Sequence, residues 1–255
     1  MMNWKACCLL GIVTGVAAAQ GSAPKPKVFG PSRAQEVYRV LLDRDALLLE
    51  SILDVIKEKQ VQDGHVVVTA GYYPTPNDEG EVEDHEWPKA FAINVTGPYL
   101  VADESYKIWK EQGLEAGLVI TTSVNAVVPK AGSFAYDTSK AAANHLVREL
   151  AVAYGPLVRV NGVAPATVIE GSSMFPRDRV LASLAKYKID HDVAASTESL
   201  RDTLAAFYAK RTLTGHPVTL ESQVRAITAF LDGDFGKTTG QIVNVDGGQA
   251  AAFLR

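Results

Sequence analysis

Four apolar runs along the chain carry almost no polar alternation and each closes on glycine, serine or proline: "GHVVVTAG" (64–71), "GLVITTS" (117–123), "VRVNGVAP" (158–165) and "QIVNVDGG" (241–248). Such runs read as strands covered on both faces, the pattern of a parallel sheet. Between them apolar residues recur at helical spacing. "RAQEVYRVLL" (33–42) and "DALLLESILDVIKEKQ" (45–60) read as helices, as do "WPKAFAINVTGPYLVADESYKIWKEQG" (87–113) and residues 136–154. Residues 171–230 hold two or three more helices with no strand between them. Val28-Phe29 reads as a short strand, with Gly30-Pro31-Ser32 a turn and helix N-cap. Strands alternating with helices predict an α/β fold, a doubly wound parallel sheet with helices on both faces. No internal repeat or linker interrupts it.

The bulk numbers narrow the function. A chain of 255 residues with 47% hydrophobic and 21% charged residues buries a full core without staples. With a net charge of −4, no basic patch points to nucleic acid. Cys7 and Cys8, the two cysteines, build no disulfide framework, and the histidines and cysteines show no metal-ligand spacing, so no metal site is expected. The acidic stretch "DEGEVEDHE" (78–86) reads as a solvated loop.

Tyr136 and Lys140 lie one turn apart at the start of a helix, and Ser123 sits just past the strand "LVITTS". In an open α/β sheet the carboxyl ends of the strands form the ligand crevice. A tyrosine hydroxyl with an ordinary pKa of about 10 is a poor base at neutral pH. An ammonium one turn away is expected to stabilise the phenolate and lower that value. With Ser123 hydrogen-bonding the substrate oxygen, the group is suited to pass a proton in an alcohol/carbonyl interconversion, whose matching step is hydride transfer to a nicotinamide. Tyr106 and Lys110 share the same spacing but lie far along their helix with no serine in register, and read as surface residues.

With these motifs in view, the sequence resembles the short-chain dehydrogenase/reductases. The resemblance spans about residues 60 to 255 and implies a Rossmann-like fold. It implies an Asn-Ser-Tyr-Lys tetrad at Asn94, Ser123, Tyr136 and Lys140, with Tyr136 and Lys140 also at the cofactor and Lys140 holding its ribose. "VTAG" matches the family's Asn-Ala-Gly segment, with Thr69 replacing Asn beside Ala70 and Gly71. "VRVNGVAPATV" matches the turn at the nicotinamide, with Pro165 kept, Ala166 replacing Gly, and Val168 facing the carboxamide. The implied cofactor is NAD or NADP, and the implied assembly a homo-oligomer, dimer or tetramer. "TTSVNAVV", "AYDTSKAAANHLVRELAV", "VAPATVIEGSSMFPRDRV" and "AFLR" look further like the dehydrogenase half of bifunctional aldolase/short-chain dehydrogenases of rhamnose-type deoxy-sugar catabolism. That likeness implies a small-molecule substrate (a sugar, sugar acid or short hydroxyaldehyde), a substrate lid over about 171–215, no membrane and a cytoplasmic setting. The tetrad Asn in this family offers its backbone carbonyl to a relay water. Pro98, four residues on, has no N–H for that carbonyl, which would leave it open to the water.

The N-terminus departs from the family. Thr14-Gly15 is followed by a wrongly spaced Gly21, and Pro24 and Pro26 stand where the phosphate-binding helix should run. Residues 1–19 also have the layout of a secretory signal peptide, with Ala17-Ala18-Ala19 before Gln20. Three readings stand side by side: a signal peptide and an exported chain, a truncated or degenerate first strand with a defective cofactor loop, or a shortened loop that still binds cofactor. The second leads to a rival function, a dehydrogenase-like protein without catalysis. Asp43 near the adenine and Arg33 near a 2′-phosphate are faint signals that do not choose between NAD and NADP.

Overall fold

In a computed structural model of the chain, residues 8–12, 36–40, 64–74, 77, 81–172, 174–232 and 234–253 are described. Six strands form one sheet: β1 (Cys8–Ile12), β2 (Glu36–Val40), β3 (Gly64–Val68), β4 (Ala116–Thr121), β5 (Val158–Pro165) and β6 (Ile242–Val245). Their order across the sheet is β2-β1-β3-β4-β5-β6, with every pairing parallel. From β1 the chain moves outward to β2, then returns to the other side of β1 as β3. The order reverses there, at the topological switch point where open α/β sheets place their ligands.

The helices among the described residues are α1 (Glu86–Phe91), α2 (Gly97–Gln112), α3 (Phe134–Tyr154), α4 (Arg177–Lys186), α5 (Thr197–Ala209) and α6 (Leu220–Leu231). The strand period of two assigns each face its own core. Val66, Val68, Leu118, Ile120 and Val160 meet Val101 and Ala102 of α2 and Val147 and Leu150 of α3. Val67, Val119 and Val163 face the other way, onto Phe230 and Leu231 of α6. Layers on both faces make this a Rossmann-like, doubly wound sheet, as the uninterrupted apolar runs imply. A bond from backbone to side chain ties β3 to β4 further: His65 Nδ1 accepts from the Gly117 N–H at 2.8 Å. A Cβ at position 117 would lie 3.0 Å from that nitrogen and 3.1 Å from Leu231 Cδ2, so glycine is the residue that fits.

Helices α4 and α5 carry a separate small core of Ile169, Val180, Leu184, Leu200 and Leu204. The chain returns from them through Leu213 and Thr214, whose N–H groups donate to the Gly248 and Gly247 carbonyls just past β6, at 3.1 and 3.0 Å. Gly247 has a φ of 69°, and a Cβ there would strike Thr212 at 2.8 Å, so the glycine pair of "VDGG" serves the close approach of these segments.

Two expectations change. "EVYRV", read within a helix, is strand β2, paired along its whole length with β1 (Cys8↔Glu36 through Ile12↔Val40). Val37, Tyr38 and Val40 are good strand formers, and pairing with the edge of β1 outweighs a local helical period. The segment 87–113 is two helices rather than one. A π turn, Ala92–Thr96, separates α1 from α2, and the Gly97 N–H donates to the Ala92 carbonyl. Pro98 withholds the donor for the Asn94 carbonyl, and the ladder widens at that point. Leu9 to Ile12 lie in a strand between β2 and β3. The readings placed on Thr14-Gly15, Gly21, Pro24, Pro26, Val28-Phe29, Gly30-Pro31-Ser32, Arg33, Asp43 and the run 45–60 fall outside the described residues. No helix among the described residues is long and apolar enough to cross a membrane.

Candidate active site

The site is assembled at the carboxyl ends of β3 and β4. β4 ends at Thr121, and Ser123 caps a short 3-10 turn (Val124–Ala126), its Oγ accepting from the Asn125 N–H at 3.2 Å. Helix α3 starts at Phe134, so its first turn presents Tyr136 to Ser123, near enough for the Ser123 hydroxyl to act on the Tyr136 hydroxyl. One turn on, buried Lys140 donates from Nζ to the Thr121 carbonyl at 3.2 Å and lies 5.8 Å from the Tyr136 ring centroid. The loop between Ser123 and Tyr136 is held by Asp137, whose carboxylate accepts from Asn125 Nδ2 and from the Lys130 N–H, both at 2.8 Å.

Asn94 is buried and fully engaged through its side chain. Its Oδ1 accepts from the Tyr72 N–H at 2.7 Å, and its Nδ2 donates to the Tyr72 carbonyl at 2.9 Å and to Ser139 Oγ at 2.8 Å. Ser139 in turn donates to the Tyr136 carbonyl at 2.7 Å. The π turn, the loop after β3 and the first turn of α3 are thereby tied into one unit. Thr69, half-buried, and Ala70, buried, follow β3, and Gly71 sits where a Cβ would come within 3.8 Å of Lys140 Nζ. Pro165 closes β5, and Val168 forms an isolated bridge to Val218. Both lie on the strand exit neighbouring that of Ser123.

The electrostatics differ from the simple expectation. Burial raises the Tyr136 hydroxyl above its ordinary value, the neighbouring Ser123 hydroxyl pulls against it, and Asp137 and Tyr73 push it further up, while Arg179 lowers it. Burial also draws Lys140 down to about 8. The expected lowering of Tyr136 by the neighbouring ammonium is therefore not what this arrangement does. The Lys140 amine is turned to the Thr121 carbonyl, and desolvation acts on both groups. Tyr106 also departs from its reading as a surface residue. It is half-buried and stacks on Tyr154 with ring centroids 4.1 Å apart, with Lys110 Nζ 5.9 Å from its centroid.

Three further residues, two of them not singled out by the sequence, join the site. Ser139, next to Lys140, completes the Asn94 tether. Tyr73 stacks on Tyr136 at 4.9 Å between centroids, inclined by 52°. Arg179 of α4 lies 4.7 Å from the Tyr73 ring centroid. The tyrosine pair "YY" (72–73) after a buried strand was the available signal, since two aromatic residues at a strand exit face the crevice.

The chain as a whole is similar to known proteins. A family model described as Enoyl-(Acyl carrier protein) reductase matches residues 44–184, more than half of the chain. The chain belongs to the short-chain dehydrogenase/reductase family. It is 31% identical over 215 residues to the uncharacterised oxidoreductase YuxG of Bacillus subtilis, a match covering 80% of this chain and 30% of that protein. It is 35% identical over 111 residues to glucose 1-dehydrogenase of Gluconobacter oxydans, covering 43% of this chain and 41% of the relative. The chain thus spans less than half the length of either. Its fold is shared with the aldohexose dehydrogenase of Thermoplasma acidophilum, at a TM-score of 0.66 and 20% identity over 88% of this chain and 82% of that one.

Proposed function

We propose that this short-chain dehydrogenase/reductase is an NAD(P)-dependent oxidoreductase that interconverts an alcohol and a carbonyl on a sugar, sugar acid or short hydroxyaldehyde. The observation that carries the reading is the convergence of the Ser123 hydroxyl, the Tyr136 hydroxyl and the Lys140 ammonium at the end of β4, beside the switch point of the sheet. The residues fit a nicotinamide cofactor. Lys140 carries three N–H donors and, among the described residues, gives one hydrogen bond, to Thr121. The remaining donors suit the hydroxyls of a ribose, with Thr69, Ala70 and Gly71 along one side and Pro165 and Val168 along the other. When bound, the nicotinamide supplies or accepts a hydride at the substrate carbon.

In this reading Ser123 holds the substrate oxygen while the Tyr136 hydroxyl gives its proton to that oxygen in reduction and takes it back in oxidation. Lys140 would hold the ribose, and its charge, one turn from Tyr136, would stabilise the phenolate. Asn94 fixes the loop after β3, and its backbone carbonyl, without an i+4 donor at Pro98, takes the relay water. Residues 171–215 act as the substrate lid on a single domain over 20–255, and the assembly is a homo-oligomer. The resemblance to a dehydrogenase half of bifunctional aldolase proteins is in keeping with a match to 30% of YuxG. The test is a steady-state screen of aldoses, aldonates and hydroxyaldehydes with NAD and NADP, read as change in reduced nicotinamide. Turnover that disappears in Tyr136→Phe is expected. A folded chain inert to the whole panel with both cofactors would overturn the reading.

A further inference from the structure

We propose that Arg179 is a specificity-determining residue that binds an anionic group, a carboxylate or a phosphate, on the substrate whose alcohol or carbonyl faces Tyr136. The proposal rests on the oxidoreductase reading above and names its substrate class.

Arg177, Arg179 and Arg201 all lie on α4 and α5 of the lid, and two of them are committed to it. Arg177 donates to the Val193 and Ala195 carbonyls at 2.6 and 2.8 Å. Arg201 donates twice to the Phe175 carbonyl, at 3.1 and 2.8 Å, and pairs with Glu198 at 3.6 Å. Arg179 is different. Its guanidinium carbon lies 4.7 Å from the Tyr73 ring centroid and 5.5 Å from that of Phe175. Among the described residues no carboxylate or carbonyl takes a hydrogen bond or ion pair from it. Asp137, the acid next to Tyr136 in the chain, is occupied by Asn125 and the Lys130 N–H.

Stacking on aromatic faces uses the flat of a guanidinium and leaves its N–H edge available for a bidentate acceptor. A single ring, Tyr73, separates Arg179 from Tyr136. A substrate of a few carbons therefore reaches from one to the other, with its reacting oxygen at Tyr136 and Ser123 and its anion at Arg179. The half-buried setting of Arg179 strengthens such a pair relative to one in open water.

The experiment titrates the full-length chain calorimetrically with gluconate, glucose 6-phosphate and glucose, with and without NADH, at low and high salt. The variants are Arg179→Gln, Arg179→Lys and, as a surface control, Arg225→Gln, with circular dichroism on each. At least one charged probe should bind tenfold or more tightly than glucose. That preference should collapse in Arg179→Gln, persist in part in Arg179→Lys, stand in Arg225→Gln and shrink with salt. Gluconate against glucose 6-phosphate decides between carboxylate and phosphate. Glucose binding as tightly as both charged probes, no binding of any probe, or a preference that survives Arg179→Gln would each overturn the assignment. If Arg179→Gln does not fold, the wild-type preference and Arg179→Lys still decide. Turnover on the same samples separates the two claims. Anion binding through Arg179 without any turnover removes the oxidoreductase reading and keeps the anion site. Turnover of glucose with no preference for charge does the reverse.

Discussion

Asn94 and Ser139 are 45 residues apart in sequence and hydrogen-bonded at 2.8 Å in the structure, from Asn94 Nδ2 to Ser139 Oγ. Through Ser139 the contact reaches the Tyr136 carbonyl, and through the other atoms of the Asn94 amide it reaches both polar groups of the Tyr72 peptide. The general acid/base proposed here is thus positioned from outside its own helix. Asn94→Ala should cost about 1–3 kcal/mol, because it leaves the Tyr72 peptide groups without partners. Ser139→Ala should cost about 1 kcal/mol. A double-mutant cycle by urea denaturation should give a coupling of about 0.5 kcal/mol or more. Strict additivity would show that the tether is not one unit.

Pro98 acts one turn after Asn94. Pro98→Ala restores an N–H at the position that normally pairs with the Asn94 carbonyl. Stability should be unchanged or rise by up to about 1 kcal/mol. Turnover should fall about tenfold if that carbonyl holds the relay water. Unaltered turnover in Pro98→Ala would remove the relay role.

Lys140 gives a pH signature that does not depend on catalysis. Its pKa falls from 10.5 in the exposed amine to about 8 in the folded chain. Between those values the unfolded chain binds more protons than the folded one, so this group makes stability rise with pH through that window. Below about pH 8 the ammonium is charged in both states, and its burial weighs against the fold at a constant level. Relative to Lys140→Met, the wild-type chain should gain about 1 kcal/mol per pH unit above pH 8. Urea denaturation of both proteins from pH 7 to 10 measures it, and parallel stability curves would place the amine in contact with water.

Tyr136→Phe removes the hydroxyl and keeps the ring that Tyr73 stacks upon. Turnover should drop by about 10²–10⁴-fold, the range for losing a positioned acid/base. Fold and cofactor affinity should be retained. Activity within tenfold of wild type would move the proton-transfer role to another group.

The sequence was most legible where local pattern and burial agree. The runs around Val66–Val68, Leu118–Ile120 and Val160–Val163 are apolar throughout because helices cover both faces, and all three became adjacent central strands. It was least legible where long-range pairing decides. "EVYRV" satisfies a helical period, yet its backbone bonds go to β1, a partner the local sequence does not announce. The site followed the same rule. Tyr136, Lys140 and Ser123 could be placed because strand ends and a helix start set them. The Asn94–Ser139 bond and the Arg179–Tyr73–Tyr136 tier depend on three-dimensional proximity across 45 residues or more and leave no spacing to read. The direction of the Tyr136 shift was missed for a related reason: i,i+4 spacing places an ammonium nearby but does not reveal that Thr121 claims it or that burial dominates.

The measurement that bears most directly on the central claim is calorimetric titration of the purified full-length chain with NADH and NADPH, beside Lys140→Met and Tyr136→Phe. The account predicts micromolar binding of at least one cofactor, weakened tenfold or more in Lys140→Met and unchanged in Tyr136→Phe. A folded chain that binds neither cofactor would contradict it.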